Sequence, residues 1–329
     1  MSRRAIFSGL ALVVLALFVL SLLTGPAGFG PGESLSALLT GQGEAVSLVM
    51  REIRLPRALL AVMVGASLGL AGAALQGYLR NPLAEPGLIG VSGSAALGAV
   101  IALQTGFAAM FALALPFAAL TGALIAVLLI LALAGPRGGS LTLILAGIAI
   151  SALAGALTSL VLNLSPNPFA VSETVFWMLG SLADRSFWHV GVALPFMAVG
   201  WVLLGLTTRG LDALTLGEDA AASLGIRLSR LRLMVIFGTA SAVGAATAVA
   251  GAIGFVGLVV PHMLRPLLGA RPGLLLPASA LGGAALVLAA DIAVRLVLPD
   301  RDLKLGVLMA IVGAPLFLHL IYKTRRQLA

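Results

Sequence analysis

The side chains of this sequence with the means to do chemistry are arginines and a few acids, placed where apolar runs end. Arg51, Arg54 and Arg57 fall in the stretch Arg51-Glu-Ile-Arg-Leu-Pro-Arg57, ahead of a long apolar segment. A guanidinium carries a planar fork of N–H donors that matches a carboxylate. Such a cluster at a membrane boundary reads either as interfacial anchors or as a grip on carboxylates of an external partner. Asp291 precedes Arg295 by four residues, the favourable order for a helical ion pair. Pro56 suits the opening turn of a helix.

A second constellation is Leu214–Ile226, ending in Leu216-Gly-Glu-Asp-Ala-Ala-Ala-Ser-Leu-Gly-Ile226. It is a polar, alanine-rich island between apolar runs. Glu218 and Asp219 sit where a helix dipole favours acids, and Gly225 supplies a stop, framing a helix of about two turns. It lacks the aromatic anchors and basic face of a membrane-surface helix. It therefore reads as a docking element for something soluble.

Other chemistry is missing. There is no G-x-x-x-x-G-K-[ST] phosphate loop, so ATP binding of that kind is not expected in this chain. His189, His262 and His319 lie far apart, without metal-ligand spacing; His319 reads as a packed or interfacial histidine. No Ser/His/Asp set points to hydrolysis. Asp184, Asp300 and Asp302 fall in expected outer loops, where solvated acids are the default. The chain reads as a non-enzyme with no metal site and no cofactor of its own.

These residues need positioning by a membrane bundle. Of 329 residues, 60% are hydrophobic and 10% charged, and the mean hydropathy is +1.13; soluble domains carry about 25% charged residues. Ten crossings are expected: Ala5–Leu23, Ala58–Tyr78, Gly93–Gly106, Ala112–Leu133, Leu141–Leu162, Val190–Leu206, Leu231–Ala250, Ile253–Leu268, Leu274–Val294 and Leu305–Tyr322. The first apolar run exceeds a signal-peptide core, so it reads as a retained helix. The fold class is an all-α integral membrane protein, one transmembrane domain over 1–329, with cytoplasmic helices at about 212–229. Forty glycines imply close helix packing. Cysteine is absent, which excludes disulfides.

Charge sets the orientation. With the N-terminus in the cytoplasm, the inner segments hold thirteen cations against four acids, and the outer ones seven against eight. The positive-inside rule then places both termini in the cytoplasm. The basic residues form no continuous patch with aromatics, which argues against nucleic acid. Among acids, only Asp291 lies inside an expected crossing. Ion-coupled transporters usually bury such groups, so a secondary transporter is the weaker reading and the energy source is expected on another subunit.

Two more segments stand out. Arg80-Asn-Pro-Leu-Ala-Glu-Pro-Gly-Leu-Ile-Gly90 is a tight cytoplasmic loop, read as a structured turn or a pore constriction. In Gly251–Arg265, Gly251, Gly254 and Gly257 read as one small-residue helix face, with Pro261 ending or kinking the helix before His262 and Arg265. A faint internal echo links Ser94-Ala-Ala-Leu-Gly-Ala99 with Ser279-Ala-Leu-Gly-Gly-Ala284.

Seven motifs in order carry a resemblance: R-L-P-R-A, N-P-L-A-E-P-G-L-I-G, L-A-G-I-A-I, W-M-L-G-S-L, L-G-E-D-A-A-A-S-L-G, G-F-V-G-L-V-V-P-H-M-L-R and L-A-A-D-I-A-V-R. From about Arg51 to the C-terminus the chain resembles the permeases of type II ABC importers, the FecCD-like group that moves ferric siderophores, haem and vitamin B12. The resemblance implies a ten-helix subunit of the bacterial inner membrane, working as a homodimer. Two cytoplasmic ATPase subunits, which bind ATP and Mg, and a periplasmic substrate-binding protein would complete the machine. It implies docking of the binding protein by Arg54, Arg57 and Arg295. It implies ATPase coupling through Leu214, Leu216, Gly217, Glu218, Asp219, Ala222, Ser223, Leu224 and Gly225. Asn81 and Leu83 correspond to the cytoplasmic gate loop. A second gate position is Thr-Ser in the vitamin B12 permeases, and Ser140-Leu141 falls there. That departure favours an iron complex, siderophore or haem, over vitamin B12 as cargo.

Overall fold

In hydrocarbon every backbone N–H and C=O must be bonded within its own segment, and the apolar runs accordingly fold as helices. The computed structural model describes residues 2–41, 43–111, 113–135, 139–297 and 303–328. Arg137, Asp300 and Asp302 lie outside the described residues, as does the side chain of Ser140. Among the described residues there is no strand.

The helices are α1 (Arg3–Leu23), α2 (Pro31–Thr40), α3 (Glu44–Leu48), α4 (Leu55–Tyr78), α5 (Val91–Gln104), α6 (Ala114–Ala134), α7 (Ser140–Asn163), α8 (Pro168–Met178), α9 (Phe187–Leu206), α10 (Thr208–Leu214), α11 (Glu218–Ser223), α12 (Leu228–Ala250), α13 (Val256–Leu268), α14 (Pro272–Val297) and α15 (Leu305–Leu328). Each of the ten expected crossings falls on one of them: α1, α4, α5, α6, α7, α9 and α12 to α15. Among the described residues, seven spans are long and apolar enough to cross a membrane. The apolar helices Val91–Gln104, Val256–Leu268 and Leu305–His319 are shorter. A 13-residue helix such as α13 rises only about 20 Å, short of the roughly 30 Å hydrocarbon core.

The core is α4 packed lengthwise on α14. Gly65 and Gly69 of α4 lie against the backbone of Ser279 and Gly283 of α14, where a Cβ would overlap main-chain atoms. This is close small-residue packing of the kind that holds helices together in lipid. Gly98 and Gly122 join α5 to α6 in the same way, through Ser94 and Ala118. The two halves of the faint echo thus make the same kind of contact.

Four features differ from the sequence reading. A π-helical segment, Val49–Arg54, links α3 to α4, with Leu55 N–H donating to Met50 O. Pro56 has no N–H to donate to Glu52, and a switch to i→i−5 bonding accommodates that loss. Gly251 and Gly254 lie in the loop between α12 and α13, so the expected glycine face does not exist. Helix α13 does not break at Pro261. The carbonyl freed by the proline is that of Gly257, and the Gln76 side chain donates to it at 3.2 Å. Finally, α11 spans six residues, under two turns.

Candidate functional site

Arg54, Arg57 and Arg295 converge with Asp291 at one end of the α1/α4/α14 cluster. Arg57 donates to Asp291 Oδ1 from Nη2 at 2.8 Å and from Nε at 3.0 Å. Arg295 Nη2 lies 2.9 Å from Asp291 Oδ2. Its Nη1 donates to Ser21 O at 2.9 Å and Thr24 O at 2.8 Å. Arg54 donates to Leu22 O at 3.0 Å and Ala27 O at 2.7 Å. Asp291 and Arg54 are buried, whereas the Arg57 side chain keeps 17% of its exposure.

The carbonyls at and just after the end of α1 lack helical partners and sit at the negative end of its dipole. Arg54 and Arg295 satisfy them. Arg51 does the same for α2, donating to Leu38 O at 2.8 Å. Neither anchors nor a free outer ring describes this arrangement fully. The guanidiniums stitch α1 and α2 to the bundle, and Arg57 is the more accessible of the Asp291 pair.

At the other end of α4 the chain turns at Asn81–Leu83, and Pro86 opens a short 3-10 helix, Pro86–Ile89, that Gly90 ends in the left-handed region. Asn81 Oδ1 accepts from Leu83 N–H at 2.9 Å, an Asx turn that sets both expected gate residues half-buried. Ser140 opens α7. Two residues that sequence reasoning missed organise this region. Glu85 accepts from Phe255 N–H at 2.6 Å and thereby holds Phe255, a non-glycine residue at φ +67°. Burial pushes the Glu85 carboxyl above the usual carboxylate range, against the opposing pull of that N–H. Gln76 bridges α4 to α13, accepting from Arg265 at 2.8 Å while donating to Gly257 O. An acid inside a Pro/Gly loop beside a membrane was the available signal for Glu85.

The segment expected to couple, Leu214–Ile226, is built as its residue types require. Gly217 (φ +106°) turns the chain into α11. Glu218 and Asp219 occupy the first turn. At the end, Gly225 N–H donates to Ala222 O at 2.9 Å and Ile226 N–H to Ala221 O at 3.0 Å, a Schellman closure with Gly225 left-handed at φ +83°. Ala222, Ser223 and Gly225 are exposed, and so are the large apolar Leu216 (69%) and Leu224 (63%). Leu214 is different: it is buried, as the root of the segment.

Two ion pairs fasten the segment to the bundle. Arg271 Nε meets Asp212 at 2.8 Å, and Asp212 also accepts from Gly273 N–H at 2.7 Å. Arg80 and Glu218 stand 3.7 Å apart with both side chains half-exposed, a contact that contributes little. No metal-binding group of His, Cys, Asp or Glu exists among the described residues.

The model of the FecCD transport family matches residues 12–323. The chain belongs to the FecCD transport family. It is 38% identical over 327 residues to the vitamin B12 import system permease protein BtuC of Klebsiella pneumoniae, covering 98% of this chain and 95% of that one. It is 37% identical to the BtuC of Citrobacter koseri, covering 97% and 94%. A solved inward-facing ABC transporter assigned to the metal-chelate type superposes with a TM-score of 0.86 at 34% identity, covering 98% of this chain and 100% of the other. PsaBC from Streptococcus pneumoniae shares the fold alone, with a TM-score of 0.54 at 16% identity. This FecCD protein is thus an ABC-importer permease and a multi-pass membrane protein.

Proposed function

We propose that this FecCD chain is the ten-span permease of an ATP-driven importer in the bacterial inner membrane, with both termini cytoplasmic, passing a bulky metal chelate inward. The observation that carries the reading is the exposed α11 knob, with Leu216 and Leu224 flanking an acidic first turn, in a chain without a phosphate loop. A separate cytoplasmic ATPase, holding ATP and Mg, receives that knob in a cleft. A second copy of this chain completes the path, and the exposed apolar faces of α7 and α15 are left for that copy or for lipid. A periplasmic binding protein docks at the Arg57 end, the motion of the ATPase is carried to the bundle through α11, and the cargo leaves past a cytoplasmic gate at Asn81, Leu83 and Ser140.

For cargo, the names of the relatives now put a corrinoid ahead of the iron complexes expected from the second gate position. The metal-chelate type of the solved relative keeps a ferric siderophore or haem as the second reading. The test is reconstitution of the chain with its ATPase and binding protein in vesicles. ATP-dependent uptake of cyanocobalamin, blocked by vanadate, supports the first cargo, and uptake of a ferric siderophore or haem the second. Uptake that ignores vanadate but collapses with an uncoupler would overturn the ATP-driven reading.

A further inference from the structure

A basic hollow beside the coupling segment remains without a role. It is about 320 Å³, and Arg209, Arg227 and Arg230 line it together with Leu206, Leu231 and Met234. No acid lines it. None of the three arginines belongs to an ion pair among the described residues. All three are exposed. Helix α12 starts at this point with Arg227 as its N-cap residue and no side chain capping it, so its first N–H groups add to the positive field.

A second hollow lies further along the same seam. It is about 490 Å³ and almost wholly apolar, lined by Phe196, Val199 and Leu203 of α9, Phe237 and Ala240 of α12, and Leu120 of α6. Val199, Leu203 and Leu206 follow one another at helical spacing, as do Met234, Phe237 and Ser241, so each set lies on one helix face. Leu203 and Leu206 are three residues apart, about 4.5 Å along the axis, which makes the hollows neighbours. Val202 (62%), Leu206 (63%) and Leu233 (41%) are exposed here, so the seam opens toward hydrocarbon.

We infer that this seam is a binding site for an anionic glycerophospholipid, with the headgroup phosphate on Arg209, Arg227 and Arg230 and an acyl chain in the α6/α9/α12 groove. Basic pockets between transmembrane helices on the cytoplasmic side bind such headgroups. A free phosphate or an acidic protein loop would satisfy the arginines but leave the adjoining groove unused. Lipid fills both. That the site faces the inner leaflet rests on the orientation proposed above; the site itself needs only the groove. Gly225, which closes α11, also lines the basic hollow. A seated headgroup therefore touches the coupling segment, and leaflet composition bears on coupling.

Native mass spectrometry of the full chain in detergent tests this, with phosphatidylglycerol and phosphatidylcholine of matched acyl chains as probes. The intact protein is expected to retain phosphatidylglycerol preferentially. Each arginine near an anionic surface contributes about fivefold, so R209Q/R227Q/R230Q should lower its affinity about 100-fold while phosphatidylcholine is unaffected. V199W, which fills the apolar groove, should weaken both lipids. R3Q/R4Q, at the start of α1, should change neither. Melting temperature checks that the triple variant is folded; if it is not, R209Q alone should still show its fivefold loss. Equal retention of the two lipids, an unchanged R209Q, or displacement of phosphatidylglycerol by millimolar inorganic phosphate would overturn the proposal. None of these readouts involves ATP or cargo, so failure here and failure of the transport reading are separate results.

Discussion

Arg57 and Asp291 lie 234 positions apart in the chain and form a two-pronged ion pair of 2.8 to 3.1 Å, with Asp291 fully buried. Arg295 shares the same carboxylate. One carboxylate thus neutralises part of a three-arginine cluster, of which Arg54 and Arg295 cap the end of α1 and tie it to α4 and α14. Removing the acid leaves two guanidiniums facing each other without a counter-charge. Asp291→Ala is expected to cost about 3–5 kcal/mol, read as a lowered melting temperature in detergent. Combining it with Arg57→Ala should recover part of that loss, because the double variant no longer strands the arginine. Strict additivity would show that the pair is not coupled.

The same geometry sharpens the docking test. Charge reversal at Arg54, Arg57 and Arg295 together is expected to weaken docking of the binding protein, but Arg54 and Arg295 also hold α1 in place, so that variant mixes two effects. Arg57→Gln separates them, since its side chain is the more exposed of the Asp291 pair. A loss of about tenfold in affinity, or about 1.4 kcal/mol, is expected in a binding assay with the cognate periplasmic protein. Unchanged affinity, with the protein still folded, rules Arg57 out as a contact.

The exposed knob predicts a defect in work rather than in folding. Leu216→Ser/Leu224→Ser removes apolar surface that the described residues leave mostly uncovered, so stability should move by less than about 0.5 kcal/mol. ATPase recruitment should fall, and hydrolysis should no longer drive uptake. Deleting Glu218 to Gly225 should do the same more completely. Normal uptake by either variant rejects the coupling role.

The α4–α14 seam predicts the opposite pattern. A side chain at Gly69 would collide with the Ser279 carbonyl and Gly283 backbone, atoms that cannot swing away. Gly69→Leu is expected to destabilise by more than about 3 kcal/mol, at the upper end of overpacking costs, or to prevent assembly of the bundle. Gly9→Leu on α1, where nothing stands within 4 Å, is the control and should be nearly neutral. Comparable melting temperatures for the two would show that the helices do not need this close approach.

Much of this was legible because lipid imposes strong patterns. The apolar runs marked all ten long or apolar helices, and the Glu218–Gly225 signals located α11 and its glycine stop. Asp291 and Arg295 declared their pair by spacing alone. What failed was anything that depends on a partner far away in sequence. Pro261 need not end a helix when its freed carbonyl finds another donor, and the donor here is Gln76, on another helix. That Arg54 and Arg295 cap the end of α1 gave no sign in the sequence, because that end is about thirty residues away from Arg54 and at the opposite end of the chain from Arg295. Helices α2, α3 and α8 are short and lie between spans, where the hydrophobic period carries little signal.

Glu85 carries the last prediction. It lies in the loop between α4 and α5, outside the spanning helices, and joins that loop to Phe255 at the start of α13. Its carboxyl is pushed up by burial, so the folded protein holds this proton more tightly than the unfolded chain. The stabilisation is therefore full below the ordinary glutamate range, near pH 4.3, and is lost as pH rises through the raised value. Glu85→Gln keeps an oxygen for the Phe255 N–H and carries no charge at any pH. It should flatten the decline of melting temperature above that range and exceed the parent in stability at neutral pH. Thermal unfolding of both proteins from pH 4 to 8 decides it: parallel curves would mean that the carboxyl is not perturbed, and a less stable glutamine variant at every pH would mean that the bond to Phe255 needs the charge.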